Sequence, residues 1–481
     1  MNKPIYETVI GLEVHVELST ATKIFCACPT TFGAPPNTQC CPVCLGLPGA
    51  MPVLNRRAVE LIVKAGLAFD CEISALSRAD RKQYFYPDLP KAYQISQGDA
   101  PFCKNGALEI TSPERGNVRI GIERIHLEED AGKLVHRGAE TFIDCNRCGV
   151  PLIEIVSRPE IRSAGEAAAY LKALRAVLIT CGISDCRMQE GEMRCDVNLS
   201  VREAGSDCFG IRTEIKNINS FAFAEKAIRY EEARQIDLLS RGESILPETR
   251  RYDAQSGQTV RMRVKETADD YRYLNEPDLP PVYLEEAEVE RLRASLPELP
   301  KARAARLSRE WGIPNDDAAI LVSDVALADY YEAVAASTAY PRIAVNLLLS
   351  DLLRHCTSEP FTSPVQSTRL GELATLLGEG SINSATAKKL LSRLLVSDFP
   401  LRDTVEREGL GQIRAEEALL PIARQVIETL PRVVADYLGG KRAALQALLG
   451  NVMKQTGGRA DPVLAEQLLL RLLSGMKKRE D

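Results

Sequence analysis

The sequence predicts an α+β chain. A large N-terminal mixed α/β domain with mainly antiparallel strands covers residues 1–292, an all-α helical connector 293–407, and a small all-α tail 408–481. Three observations carry this reading. Short β-branched or alternating apolar runs recur from Tyr6 to about Asp278, with a few helical patterns between them. A Pro-rich stretch, Glu276 to Val282, closes that region. Beyond it the strand signal vanishes and apolar residues return at helical spacing. The length of 481 residues agrees, at roughly 150 residues per domain.

In the first domain, strands are expected at Val9–Leu18, Ala107–Thr111, Asn117–Ile125, Glu192–Val201 and Gly210–Ile218. Helices are expected at Asn55–Phe69, Ser163–Cys181 and Ser220–Arg241. The first has an apolar face at Val59, Ile62 and Val63, with Gly66 one turn on. In the second, Ser163 and Glu166 have capping-box spacing. In the connector, Leu370, Leu373, Ala374 and Leu377 share a helix face, as do Ala387, Leu390, Leu391 and Leu394, with Ser384 as expected N-cap. Pro400 and Gly409–Gly411 mark a break, and the tail helices divide at Gly439-Gly440 and Gly457-Gly458.

Composition excludes several classes. Hydrophobic residues make up 45%, charged residues 26%, and the net charge is −6. That is an ordinary globular balance, neither disordered nor uniformly basic. A negative total leaves local nucleic-acid contacts open. No apolar run nears the ~20 residues of a spanning helix, and no signal peptide is visible in Met1–Val9. The expected location is cytoplasmic, where 14 cysteines bind metal more readily than they form disulfides.

Cysteine spacing is the sharpest local signal. Cys26-x-Cys28 followed by Cys41-x-x-Cys44 matches a structural zinc site of four thiolates, with no open position for catalysis. Buried free cysteines are the alternative, and Cys40 could replace Cys41. Cys145-x-x-Cys148 has no matching pair nearby in sequence and reads as structural, with a redox or metal pair as alternative.

Acidic and histidine residues on strands are the second signal. Glu13, His15 and Glu17 alternate and should share a strand face. Further clusters are His126-Leu127-Glu128-Glu129-Asp130, Arg194-Cys195-Asp196-Val197-Asn198 and Glu214-Ile215-Lys216-Asn217. Carboxylates of this kind suit a hard cation such as magnesium; a solvated face is the alternative. The segment Asp80 to Lys91 mixes aromatic and basic groups, suited either to holding a nucleotide or to packing as a loop. There is no Walker A motif, kinase glycine loop, nucleophile elbow or Ser-rich glycine segment of the amidase type. Any nitrogen for amide chemistry would come from another chain.

An ordered set of motifs then resembles one family across the chain. It includes Glu7-Thr8-Val9-Ile10-Gly11-Leu12-Glu13-Val14-His15, Tyr84-Phe85-Tyr86-Pro87-Asp88-Leu89-Pro90-Lys91, His126 to Lys133 and Pro151-Leu152-Ile153-Glu154. Arg194 to Asn198, Glu214 to Ser220 and Asp270-Tyr271-Arg272-Tyr273 continue it. The chain resembles the GatB/GatE family, which contributes the kinase and transamidase component of tRNA-dependent amidotransferases.

The resemblance implies a catalytic cradle, a YqeY-like tRNA-binding tail, and conversion of misacylated Glu-tRNA(Gln) or Asp-tRNA(Asn) into the amide form. It implies ATP and Mg²⁺ as well as structural Zn²⁺. Partners would be a glutamine-hydrolysing A subunit that supplies ammonia and a small C subunit that wraps both. Glu13, His15, Glu128 and Lys82 would be catalytic, with Glu154, Asp196 and Glu214 joining Glu13, His15 and Glu128 around magnesium. His15 is an unusual magnesium ligand and could instead hold a metal-bound water or the acyl group. Lys82, Tyr84 and Lys216 would bind ATP, and Lys441, Arg442, Lys454 and Arg459 would bind tRNA.

The chain departs from the family pattern at Leu274-Asn275, where Phe-Pro is usual, and at Gly457-Gly458, where Lys-Gly is usual. It is also too short to carry the inserted domain of the archaeal relative. A non-catalytic tRNA-binding scaffold and a zinc-dependent hydrolase are the competing readings. The four-cysteine set argues against the hydrolase, which needs an open metal position.

Overall fold

The computed structural model describes residues 5–218, 220–264, 271–358 and 360–480. The motif residues Asn219 and Asp270, and the side chain of Asn217, lie outside the described residues. The chain divides into two compact units, Met1–Pro300 and Lys301–Asp481. The first is mixed α/β and the second is helical.

Nine strands of the first unit form one sheet. They are β1 (Tyr6–Glu17), β2 (Glu72–Ile73), β3 (Cys103–Ser112), β4 (Gly116–Glu129), β5 (Pro151–Ser157), β6 (Met193–Glu203), β7 (Thr213–Ile218), β8 (Glu248–Asp253) and β9 (Gln258–Val264). Their order is β9-β8-β7-β6-β1-β5-β4-β3-β2, and every pair is antiparallel except β7–β8. The central strand β1 explains its own position. Leu12, Val14 and Val16 are buried on one face, while Glu13, His15 and Glu17 lie on the other. Each fully buried side chain contributes about 1.5–3 kcal/mol.

Three helices, α1 (Arg56–Ala68), α2 (Ala164–Thr180) and α3 (Phe221–Ser240), join the apolar face in a single core with Ile10, Leu12, Ile62, Leu171 and Ile228. Ser163 caps its helix as expected, and Asn55 and Ser220, expected only as the first residues of their helical stretches, are caps too; each accepts a first-turn N–H. Gly66 lets α1 approach closely, since a Cβ there would strike Cys103 Sγ and Ile73. The Ser163 capping box is only half made. Glu166 does not return to Ser163; its carboxylate accepts from Arg115, Ser112 and the Arg162 N–H. A buried carboxylate is better served by a guanidinium than by one more backbone donor.

The strand expected at Gly210–Ile218 begins only at Thr213. Gly210 runs close to the Val201 carbonyl, where an added side chain would clash, so only glycine fits there. Short strands missed in the sequence include the Asp80–Gln83 and Tyr93–Ser96 pair. Val282–Tyr283 pairs with Leu76–Ser77, and the helix Glu286–Ala294 adds Leu292 to a cluster with Val63 and Leu67.

The second unit holds two apolar clusters. One includes Leu370, Leu373, Leu390, Leu391 and Leu401; the other Leu419, Val426, Leu448, Val452 and Leu469. Asn383, not Ser384, caps the helix Ser384–Leu394, accepting from the Thr386 N–H at 2.8 Å. Asparagine at this position already has the extended backbone a cap requires, leaving Ser384 as the first helical residue. No helix of the described residues is long and apolar enough to cross a membrane.

Candidate active site and cysteine centre

The sheet register assembles the polar face. On β1, His15 stands opposite Glu154 of β5 and Arg194 of β6, and Glu13 stands opposite Asp196. Glu154 in turn faces His126 of β4, Leu152 faces Glu128, and Asn198 faces Glu214 of β7. Side chains alternate along every strand. Residues far apart in the chain, from Glu13 to Glu214, therefore form one stripe across neighbouring strands.

Two groups condense on it. His15, Glu128 and Glu154 bring ligand atoms within 4.8 Å of one another, as do Glu13, Asp196 and Glu214. In the first, His15 Nε2 lies 3.4 Å from Glu154 and 3.6 Å from Glu128. His126 Nε2 approaches Glu154 at 3.3 Å. Burial opposes a charge on His15, but the hydrogen bond and charge of Glu154, with Glu128 beyond, outweigh it and raise its pKa to about 9. Glu154 is held well below the ordinary carboxylate range: burial opposes this, and His126 and His15 prevail. Lys82 Nζ sits 3.7 Å from Glu128 and 5.0 Å over the Tyr271 ring.

In the second group, Asn198 donates to Glu13 at 2.9 Å and Thr249 donates to Glu214 at 2.9 Å. Lys216 pairs with Asp196 at 2.7 Å and with Glu214 at 3.1 Å. Burial and the nearby Glu154 push the Glu13 pKa up. At the end of the same stripe, burial next to Asp130 raises Glu17 to about 8.

Crowded carboxylates of this kind can hold a divalent cation on oxygen ligands. The buried Glu128 Oε1 accepts no hydrogen bond, so it retains a free lone pair for a cation or a donor. His126 belongs to the group but was not singled out as a site residue in the sequence; its i, i+2 spacing from Glu128 on one strand was the available signal. Tyr84 stacks on Tyr86 with centroids 5.3 Å apart.

The cysteine centre forms almost entirely within one loop. Cys44 Sγ is 3.7 Å from Cys26, 3.8 Å from Cys28 and 3.6 Å from Cys41. A tetrahedron with zinc–sulfur bonds of ~2.3 Å has sulfur–sulfur edges of ~3.8 Å, so the four thiols fit such an ion. Cys40 does not substitute for Cys41; its thiol points to Asn146 Oδ1 at 3.8 Å. Cys145 and Cys148, isolated in sequence, pack directly on this cluster. The loop is stapled to their turn by Gln39 N–H to Asn146 at 2.8 Å and Cys145 N–H to Asn37 at 2.7 Å.

In the second unit, Lys441 pairs with Asp436 at 2.8 Å, and Arg459 donates to the carbonyls of Thr456 and Gly409. Arg442 and Lys454 are exposed.

The GatB/GatE catalytic domain matches residues 8–290 and a GatB domain matches residues 329–473, and the chain belongs to the GatB/GatE family. Its relatives include the aspartyl/glutamyl-tRNA(Asn/Gln) amidotransferase B chain of Carboxydothermus hydrogenoformans, 49% identical over 96% of this chain and 98% of the relative. The proteins of the same name from Chlorobium phaeobacteroides and Clostridium botulinum are similar, at 48% over 98% of this chain and 100% of the relative, and 46% over 96% and 98%.

Proposed function

We propose that the chain is the kinase and transamidase component of a tRNA-dependent amidotransferase, a ligase that forms a carbon–nitrogen bond with glutamine as amido donor. Its reaction amidates the side-chain carboxylate of Glu-tRNA(Gln), Asp-tRNA(Asn) or both. A carboxylate is a poor electrophile because oxide cannot leave. ATP-dependent phosphorylation gives an acyl phosphate, phosphate becomes the leaving group, and ammonia attacks.

The convergence of Glu13, His15, Glu128, Glu154, Asp196 and Glu214 on one sheet face carries this reading. The five carboxylates would hold Mg²⁺, which when bound neutralises phosphate charge; His15 would join them only as the neutral imidazole, and as the imidazolium it would instead face a metal-bound water or the acyl group. Lys82 and Lys216 are fixed cations at the edges of the two groups, suited to phosphate oxygens. Tyr84 on Tyr86 offers a stacking surface for the nucleotide. Ammonia would come from a glutaminase A subunit, with a C subunit completing the heterotrimer.

The four cysteines Cys26, Cys28, Cys41 and Cys44 would bind structural zinc. Residues 293–407 would connect a catalytic cradle over 1–292 to a tRNA-binding tail over 408–481. There Arg442 and Lys454 are exposed, and Lys441 and Arg459 would contact phosphate from their present pairings.

The test is ATP cleavage and amide formation with free ammonium, in the complex with the A and C subunits and with either misacylated tRNA. Aminoacyl-tRNA should stimulate ATP cleavage. An absence of ATP consumption would return the chain to the scaffold reading. Deleting the tail from Gly411 should weaken tRNA binding while leaving ATP binding; undiminished tRNA affinity would refute the tail assignment.

A further inference from the structure

Lys23 is a fully buried lysine. Its ammonium donates to one acceptor, the Cys145 carbonyl at 3.2 Å. Among the described residues no carboxylate lies within ion-pair distance of it; the nearby Glu129 is taken by Lys91 at 2.6 Å and by the Ile95 N–H at 2.8 Å. A buried ammonium without a counter-charge costs several kcal/mol, so the neighbourhood must supply one.

The cysteine cluster lies beside Lys23: Cys145, whose carbonyl accepts its ammonium, packs on Cys44. The Lys23 backbone N–H bonds the Cys28 carbonyl at 2.9 Å, and with Cys26 and Cys44 the lysine lines a cavity of about 210 Å³. A divalent ion on four thiolates leaves two negative charges, which a low-dielectric interior cannot hold unbalanced.

We propose that Lys23 is the counter-charge of the thiolate metal centre, a positioning residue that stabilises the metal-loaded cysteine quartet and ties it to the Cys145–Gly149 turn. The inference rests on the zinc reading of Cys26, Cys28, Cys41 and Cys44. It also gives the Cys145 turn a role: its carbonyl orients the ammonium that the metal centre needs, and Gly149, at φ +77°, closes that turn.

The test uses the full chain with Lys23→Met, which keeps the apolar stem and removes the charge. Zinc affinity is read by chelator competition, and ligation by the sulfur-to-cobalt charge-transfer band of the Co²⁺ form. Thermal unfolding is followed with and without metal. Zinc binding should weaken by roughly 10–100-fold, the scale of a lost outer-shell partner, with the cobalt band still that of four thiolates. Lys23→Met should unfold at a lower temperature than wild type when zinc is bound. Without metal it should be no less stable, because an unbalanced buried charge has gone. Unchanged zinc affinity overturns the proposal, as does an equal loss of stability with and without metal or a variant that never folds. If the wild-type chain itself takes up no zinc, the zinc reading falls, and this inference with it.

Discussion

The cysteine centre and the histidine–carboxylate stripe are two polar clusters built in opposite ways. The four thiols all lie between Cys26 and Cys44, and short loop closures bring them together. The stripe draws on β1, β4, β5, β6 and β7, from Glu13 to Glu214, and exists only once those strands pair in register. A local cluster can form with its own loop. A distributed cluster requires the whole sheet, and a one-residue slip of β1 would turn Glu13 and His15 into the core. Substitutions in the loop should therefore be felt in folding, and substitutions in the stripe in chemistry.

Glu128→Gln should give the largest effect. It keeps the shape but removes a charge facing His15 and Lys82, so amide formation should fall by roughly 10²-fold or more while tRNA binding persists. Normal turnover would mean that the stripe is structural and not catalytic. Cys28→Ser with Cys44→Ser should release about one zinc per chain, measurable by elemental analysis, and lower the melting temperature. Unchanged metal content and melting would break the contrast from the other side.

Glu166→Gln probes a buried charge away from both clusters. It should cost about 2 kcal/mol at neutral pH, as expected for hydrogen bonds to a charged group. Burial works against ionisation of Glu166, but Arg115 and the Arg162 N–H hold its pKa below the ordinary value of 4.5. Its contribution is thus present above about 4.5 and is lost as pH falls through the lower native value. Denaturation of the two proteins should converge in acid; a constant gap would contradict the charged pairing. The smallest effect belongs to the helical unit. Asn383→Ala should cost about 1 kcal/mol, while Ser384→Ala should be neutral or gain a few tenths of a kcal/mol; equal losses would reassign the cap.

Much of the fold could be read ahead of the structure because its signals are local. Ser163 caps its helix as read, since a cap needs only its own first turn. Alternation along β1 placed Glu13, His15 and Glu17 on one face. The cap at Asn383 was missed by one residue, because asparagine and serine both suit the position and only the backbone turn separates them. The two-residue strands Val282–Tyr283 and Leu76–Ser77 are too short to leave a periodic pattern.

The sequence by itself determined the α+β class, the four-thiol spacing, the alternating faces of the strands and, through its ordered motifs, the family. Each depends on residues near one another in the chain or on a pattern readable in order. Only the tertiary structure decided that His126 joins His15 and Glu154, that Cys145 and Cys148 pack on the quartet, and that Lys23 is buried with its ammonium on the Cys145 carbonyl. Strand register and turn docking bring those groups together across long stretches of chain, and no local spacing encodes such distances.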